Sequence, residues 1–179
     1  KNHMLVLADA DNDPAHVAMD LLAQAEHDVR TRVGLITTRV QDVSQDVFLS
    51  LESGDLLFID SSHVVKCGSD LQFIMFEVLP RLRPGVFVHF HDVFYPFDYP
   101  PEWLAKGYYW NENYFLRAFL SYNSEWSILF FNTYAHLVFG DLIREKMPLC
   151  AEHKGGSLYL RREHRGKPDL PCSTIPESA

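Results

Sequence analysis

Acidic and imidazole side chains end two apolar runs of this chain. Asp60 and His63 follow "LLFI", and His91 and Asp92 close "FVHFHD". Carboxylate oxygens and neutral imidazole nitrogens are ordinary ligands of divalent metals, which suggests a metal site at Asp60, His91 and Asp92. The same side chains could instead transfer protons, because histidine titrates near neutral pH. Asp60, His63 and His91 are then the candidate catalytic residues.

Each of these residues also has a structural alternative. Aspartate shapes turns and caps helices, Ser61 and Ser62 could cap a following helix, and His63 could bond a nearby carbonyl. A third apolar run, "MLVLADAD", ends in Asp9 and Asp11. Acids at three strand ends favour a binding or catalytic site over three separate caps.

The elements that must position these residues alternate along the chain. Predicted strands cover residues 4–9, 32–38, 55–60, 86–92, 126–132 and 156–162, and predicted helices cover 13–30, 43–51, 69–82 and 111–122. This alternation predicts an α/β fold with a Rossmann-like, mainly parallel sheet and helices on both faces. Ligands of such sheets bind beyond the carboxyl ends of the strands. We expect one domain over residues 1–165 and a loose tail over residues 166–179.

Composition limits the partners of the protein. Its 179 residues carry a net charge of -8, which argues against a nucleic-acid-binding surface. No apolar run is long enough to span a bilayer, so no membrane partner is expected. The three cysteines form no CxxC motif, and their odd number gives no closed disulfide set, so we expect a reducing, cytoplasmic setting. A homo-oligomer is left open.

The densest run of motifs is "FIDSSH", then "LPRLRPG", then "HFHD". Together with "WNENYFLRAFLSYNSEWSILFFN", this pattern resembles the second half of a class I S-adenosylmethionine-dependent methyltransferase, over roughly residues 33–162. The resemblance implies methyl transfer from S-adenosylmethionine to an oxygen or nitrogen of a small acceptor, for example a sugar or natural-product hydroxyl. It also places Asp60 and Asp92 at the ends of neighbouring strands.

The resemblance further implies a set of cofactor-binding residues: Asp9, Asp11, Gln41, Asp42, Asp60, Ser61 and Ser62. On that alignment Asp11 holds the ribose hydroxyls, with Asp9 as the alternative, and Gln41 and Asp42 lie near the adenine. Metal-dependent O-methyltransferases place acids at the same two strand ends and usually add an oxygen donor directly after the second acid. Here Val93 follows Asp92, so a histidine would have to replace that donor.

One part of the family pattern is missing. The family's first strand normally ends in a glycine-rich turn that lets the backbone approach the methionine end of the cofactor, but the first glycine here is Gly34, inside a predicted strand. We therefore expect an N-terminally incomplete methyltransferase that lacks the first strand; the alternative is a first strand without its glycines. Because several hydrogen bonds of about 1 kcal/mol each are lost, we expect this chain to bind S-adenosylmethionine weakly or not at all.

Aromatic side chains crowd the proline-rich loop from Phe94 to Trp110. In methyltransferase-like sheets this loop borders the acceptor pocket, and aromatic walls suit a sugar or a planar acceptor. The alternative is a packed cover over the end of the sheet, or a subunit interface.

Two other functions fit the sequence. The missing glycine turn favours a non-catalytic methyltransferase-like module for binding or assembly, which calorimetry with the cofactor would distinguish from an enzyme. A metal-dependent hydroxylase or hydrolase could use the same Asp and His residues, which metal analysis of the purified protein would test.

Overall fold

Six strands form one sheet in the computed structural model, which describes residues 3–7, 32–35, 38–152 and 154–163. The strands are β1 (His3–Leu7), β2 (Arg32–Leu35), β3 (Leu56–Ile59), β4 (Phe87–His91), β5 (Trp126–Phe131) and β6 (Ser157–Arg162). Their order across the sheet is β2-β1-β3-β4-β6-β5. The first four strands pair in parallel, whereas β6 is antiparallel to both β4 and β5. The predicted α/β, Rossmann-like and mainly parallel architecture is confirmed.

Six α-helices lie in the described part of the chain: α1 (Gln45–Leu49), α2 (Asp70–Phe73), α3 (Pro101–Ala105), α4 (Glu112–Leu120), α5 (Asn132–Lys146) and α6 (Pro148–Glu152). The α2 segment continues as a π-helical turn and then a 3-10 turn, and a further 3-10 turn precedes α1. Helix α5 was not predicted from the sequence. None of the described helices is long and apolar enough to cross a membrane. The predicted helix over residues 13–30 and the tail over residues 166–179 lie outside the described residues.

Strand β1 pairs directly with both of its neighbours in the sheet. Leu5 is the register partner of Gly34 in β2 on one side and of Leu57 in β3 on the other. The described sheet is therefore continuous from β2 to β4, with no open edge between β1 and β3.

The core lies on one face of this sheet. Leu57, Val88 and Leu160 are register partners on three adjacent strands, and all three side chains are fully buried. The helical stretch after β3 packs against them with residues at helical spacing, among them Leu71, Ile74, Met75 and Val78. This packing holds the carboxyl ends of β3 and β4 next to each other. The polar residues that follow the two strands therefore lie at the same edge of the sheet.

The turn before β4 depends on a glycine. Gly85 has φ +85°, and a Cβ at this position would lie 2.7 Å from the Cβ of Ser53. We predict that Gly85→Ala lowers the free energy of unfolding by about 2–4 kcal/mol, because it adds a clash to the backbone strain. Urea denaturation measures this loss.

Gly68→Ala is the matched control, because Gly68 has φ +72° but no atom within 4 Å of the added Cβ. It should cost only about 1 kcal/mol from strain alone. In the Gly85→Ala background, Ser53→Gly should recover part of the loss. Equal losses at both glycines would contradict this account.

Candidate functional site

The carboxyl ends of β3 and β4 bring four of the predicted site residues together. His63 Nε2 lies 3.5 Å from Asp60 Oδ1 and 3.8 Å from Asp92 Oδ2. His91 Nδ1 lies 3.4 Å from Asp92 Oδ1 and 3.6 Å from Asp60 Oδ1. The predicted proximity of Asp60 and Asp92 is therefore confirmed. We call these four side chains the rim cluster.

A fifth residue, Glu112, completes the site from the start of α4. Its Oε2 lies 2.6 Å from His63 Nδ1, and its side chain is only 1% exposed. The Ser61 hydroxyl donates to the same oxygen over 3.4 Å and accepts from the His63 backbone N–H. The second carboxylate oxygen of Glu112 is buried without a hydrogen-bond partner among the described residues. His63 and Ser61 are therefore the groups that hold this carboxylate.

The backbone holds His63 in a conformation that L-residues rarely adopt. His63 has φ 55°, in the left-handed region, and its carbonyl accepts from the N–H groups of Asn111 and Glu112 at 3.1 and 3.2 Å. The Asn111 side chain adds two hydrogen bonds to the backbone of Val65. Asp92 has φ 57°, and its N–H donates to the carbonyl of Gly156. Non-glycine residues in this region persist only where their surroundings fix them, and they concentrate at functional sites.

The two serines after β3 do not cap the following helix. Ser69 caps α2 by accepting from the backbone N–H of Gln72. Ser62 instead binds the Asp70 carboxylate through both its N–H and its hydroxyl. The capping alternative for Ser61 and Ser62 was therefore wrong, since Ser61 contacts Glu112 and Ser62 contacts Asp70.

The predicted adenine-side residues have partners within the chain. The Gln41 side chain donates to the carbonyl of Gly68, in the loop between β3 and α2, over 3.1 Å. Asp42 accepts two hydrogen bonds from Arg39 at the surface. Asp9 and Asp11 lie outside the described residues, so their roles as cofactor-binding residues stay predictions.

Aromatic rings surround the imidazole of His63. The Trp110 ring lies 4.2 Å from it, centroid to centroid, with an interplanar angle of 32°. Trp110 also stacks on Tyr108 and meets Trp103 and Tyr99 edge to face. The loop after β4 thus folds into an aromatic cluster that touches the site, and it brings the indole face next to a histidine.

Comparison with known proteins places the chain in a family. Residues 2–93 match a family profile described as a methyltransferase domain, and this match covers half of the chain. The chain belongs to this methyltransferase domain family.

Other matches of the methyltransferase chain are short. A histidinol dehydrogenase from Gluconobacter oxydans (strain 621H) is 57% identical over 37 residues, which is 21% of this chain and 9% of that relative. A histidinol dehydrogenase from Rhizobium meliloti (strain 1021) is 58% identical over 36 residues, 20% of this chain and 8% of the relative. The chain thus spans less than a tenth of the length of these curated relatives. No solved structure matched it.

The family match includes the whole rim cluster but ends before Glu112. The residue type of Glu112 did not single it out in the sequence, because an acid in the first turn of a helix is usually a cap or a dipole partner. Its only signal was its place in "NEN", directly after the aromatic loop. The contact with His63 joins residues 49 positions apart, and no local pattern predicts it.

The rim cluster is the place where the sequence predicted a metal. Within residues 38–152 and the other described ranges, no group of three or more His, Cys, Asp or Glu side chains could hold a metal ion. The nitrogens of His63 and His91 lie at ion-pair distances from the carboxylates of Asp60 and Asp92. The predicted metal at Asp60, His91 and Asp92 stays a prediction, and no chemical step below depends on a metal.

The charges of the site favour a protonated His63. Burial lowers the pKa of His63, but its contacts with the carboxylates of Asp60 and Glu112 and the charge of Asp92 outweigh burial and raise this pKa to about 10. Burial raises the pKa of Asp60, yet the contact with His63 and the charge of His91 outweigh it, so the net shift is downward. Burial raises the pKa of Glu112, partly offset by His63. The two raised pKa values place a proton within the His63–Glu112 pair, and the contact with the Asp60 carboxylate favours holding it on His63.

The two histidines of β4, His89 and His91, behave differently from each other. Asp92 raises the pKa of His91 against the effect of burial. His89 stacks on Tyr159 at 4.2 Å, and burial together with the charge of His91 lowers its pKa to about 4. Among the described residues, His63 is thus a buried histidine that favours the charged form, and His89 is one that favours the neutral form.

These opposite shifts predict a stability maximum near pH 6.5. His63, with its raised pKa, contributes stability that is complete below its ordinary pKa of 6.5 and is lost as the pH rises to about 10. His89, with its lowered pKa, contributes stability that is complete above 6.5 and is lost as the pH falls to about 4. Urea denaturation across this pH range measures the free energy of unfolding and so shows both the alkaline and the acid loss of stability.

Two variants separate the alkaline loss of stability, assigned to His63, from the acid loss, assigned to His89. His63→Gln should flatten the alkaline limb and leave the acid limb, whereas His89→Phe should do the reverse. An alkaline limb that is unchanged in His63→Gln would contradict the assignment.

Proposed function

We propose that this methyltransferase domain transfers a methyl group from S-adenosylmethionine to an oxygen or nitrogen of a small acceptor at the rim cluster. The observation that carries the proposal is the buried contact between His63 and Glu112, which turns His63 Nε2 toward Asp60 and Asp92. A charged pair buried at the carboxyl end of a parallel sheet is unusual for a purely structural contact and typical of a site.

The carboxylates of the rim cluster complement the positive groups of the cofactor, but other predicted cofactor contacts are missing. The carboxylates of Asp60 and Asp92 would attract the sulfonium and ammonium groups of S-adenosylmethionine. The sequence has no glycine turn after β1, and Gln41, Asp42 and Ser62 already bond other groups of the chain. We therefore expect weak cofactor binding by this chain.

When bound, the cofactor supplies an activated methyl group for an in-line displacement. The residues of the chain then orient the acceptor and receive its proton. His63 is not the base at neutral pH, because its raised pKa keeps both ring nitrogens protonated. We assign the proton to the Asp60 carboxylate, whose side chain is 24% exposed and can release it to solvent. His63 keeps that carboxylate ionised and fixed in place.

The acceptor is assigned to the side of the site formed by the aromatic cluster. Tyr108, which is 44% exposed, stacks on the Trp110 ring beside His63, and exposed aromatic surfaces suit the apolar face of a sugar or a planar ring. Tyr95 and Tyr109 on the same loop are exposed and available for contact. A sugar or aromatic hydroxyl is the acceptor class that fits these surroundings.

A non-catalytic binding module is the second candidate, and the absent glycine turn favours it. Calorimetric titration with S-adenosylmethionine distinguishes the enzyme from the non-catalytic module. Weak but measurable binding that Asp60→Asn reduces supports the enzyme. No binding to the intact chain at millimolar cofactor supports the module.

We predict that Asp60→Asn abolishes methyl transfer, with a rate loss of at least about 100-fold, while the fold stays intact. The amide cannot accept the proton, although it caps and turns the chain about as well as aspartate. The measurement is the release of S-adenosylhomocysteine at saturating cofactor with a panel of sugars and phenols. Circular dichroism monitors the fold.

Two further variants sharpen this test. Glu112→Gln should slow transfer less than Asp60→Asn does, because it acts only through His63. Asp46→Asn, which removes an exposed carboxylate at the start of α1, should leave the rate unchanged. Equal rates for wild type and Asp60→Asn would refute the catalytic role.

A further inference from the structure

An exposed apolar surface covers β5 and the helix that follows it. Six of its side chains are between 45% and 70% exposed: Ile128, Leu129, Phe130, Leu137, Val138 and Leu142. Tyr134 and Phe139 lie among them and are 44% and 54% exposed. We call this surface the α5–β5 face. Scattered exposed apolar residues are normal, but a contiguous group of this size marks an interaction site.

Helix α5 turns its apolar side outward. Of its fifteen residues, Ala135 is the buried one. Tyr134, Val138 and Leu142 follow each other at intervals of four, so they form one stripe along the helix. Surface helices normally bury such a stripe. In the described part of the chain nothing does so here, and the helix bends at Phe139, where φ is -116°.

Strand β5 is an edge of the sheet. In the described ranges it pairs with β6 and with no other strand, so the backbone groups along its far side have no strand partner. Ile128, Leu129 and Phe130 are three consecutive exposed apolar residues on this edge. Sheet edges usually carry charges, prolines or a cover that prevents pairing with another chain. An apolar, unprotected edge favours such pairing.

The charge pattern points to a second copy of the same chain as the occupant. No Asp, Glu, Lys or Arg occurs from Trp126 to Gly140, although the protein has a net charge of -8. Two copies repel each other over most of their surfaces, but along this segment no like charges meet. A strongly charged partner would gain nothing here, whereas an identical apolar face is complementary to it.

The area is also sufficient. The eight apolar side chains are each about half exposed, and together they offer an area on the order of the roughly 800 Å² that a standard interface buries on each partner.

We propose that the α5–β5 face binds a second copy of the chain across a twofold axis. The stripes of α5 pack against each other, and the edges of β5 lie side by side, which gives the same patch on both subunits. The face begins next to the rim cluster: Tyr134 lies 4.9 Å from Tyr95, and the Tyr95 N–H donates to Thr133 Oγ1. Because Tyr95 follows Asp92 by three residues, the dimer supports the loop that borders the acceptor side.

Sedimentation equilibrium of the full chain at micromolar concentrations tests this proposal. Wild type should be a dimer. Leu137→Glu, on the helix, and Leu129→Lys, on the strand edge, should each raise the dissociation constant at least about a hundredfold, because each buries charges at the interface in both subunits. Phe76→Glu is the matched control, since Phe76 is 58% exposed on a different helical segment. It should leave the dimer intact.

Three outcomes would overturn the proposal: a monomeric wild type across the concentration range, a dimer unaffected by both face variants, or a dimer equally disrupted by Phe76→Glu. Circular dichroism confirms that each variant is folded, and the two face variants are independent if one of them fails to fold. The readout does not depend on methyl transfer, so it stands apart from the test of the proposed function.

Discussion

The site depends on one buried contact, the 2.6 Å hydrogen bond between His63 Nδ1 and Glu112 Oε2. Removing a charged group from water is costly unless a partner of opposite charge and hydrogen bonds compensate. Here the imidazolium and the carboxylate compensate each other, and Ser61 adds a hydrogen bond to the same oxygen. With Nδ1 engaged, only Nε2 of His63 is left to face the rim, which fixes how Asp60 and Asp92 are held.

The fold makes this contact in a specific way. The parallel pairing of β3 with β4 places the ends of both strands at one edge, and the backbone of His63 accepts hydrogen bonds from the first residues of α4. Strand, loop and helix therefore meet at a single residue. The left-handed backbone of His63 is tolerated because these bonds fix it from both sides, through its carbonyl and through its N–H to Ser61.

The sequence predicted the part of this arrangement that follows from local order. Asp60 and Asp92 could be placed together because both follow buried strands whose neighbours are set by topology. Glu112 could not, because only the tertiary fold brings it to His63. The metal at Asp60, His91 and Asp92 stays a prediction, because carboxylates and imidazoles are the same residue types in an ion-pair cluster and in a metal site. Helix α5 was missed because it begins directly after β5, with no side-chain cap at Phe131 to mark the boundary between the two elements.

The protonation state of His63 is the central claim, and a 15N NMR titration of the histidine side chains tests it most directly. Wild type should keep His63 protonated up to about pH 10, well above the ordinary pKa of 6.5. Glu112→Gln should lower this pKa by removing the charge at Nδ1 while the glutamine keeps a hydrogen-bond acceptor in place. A His63 that titrates near pH 6.5 in both proteins would contradict the account.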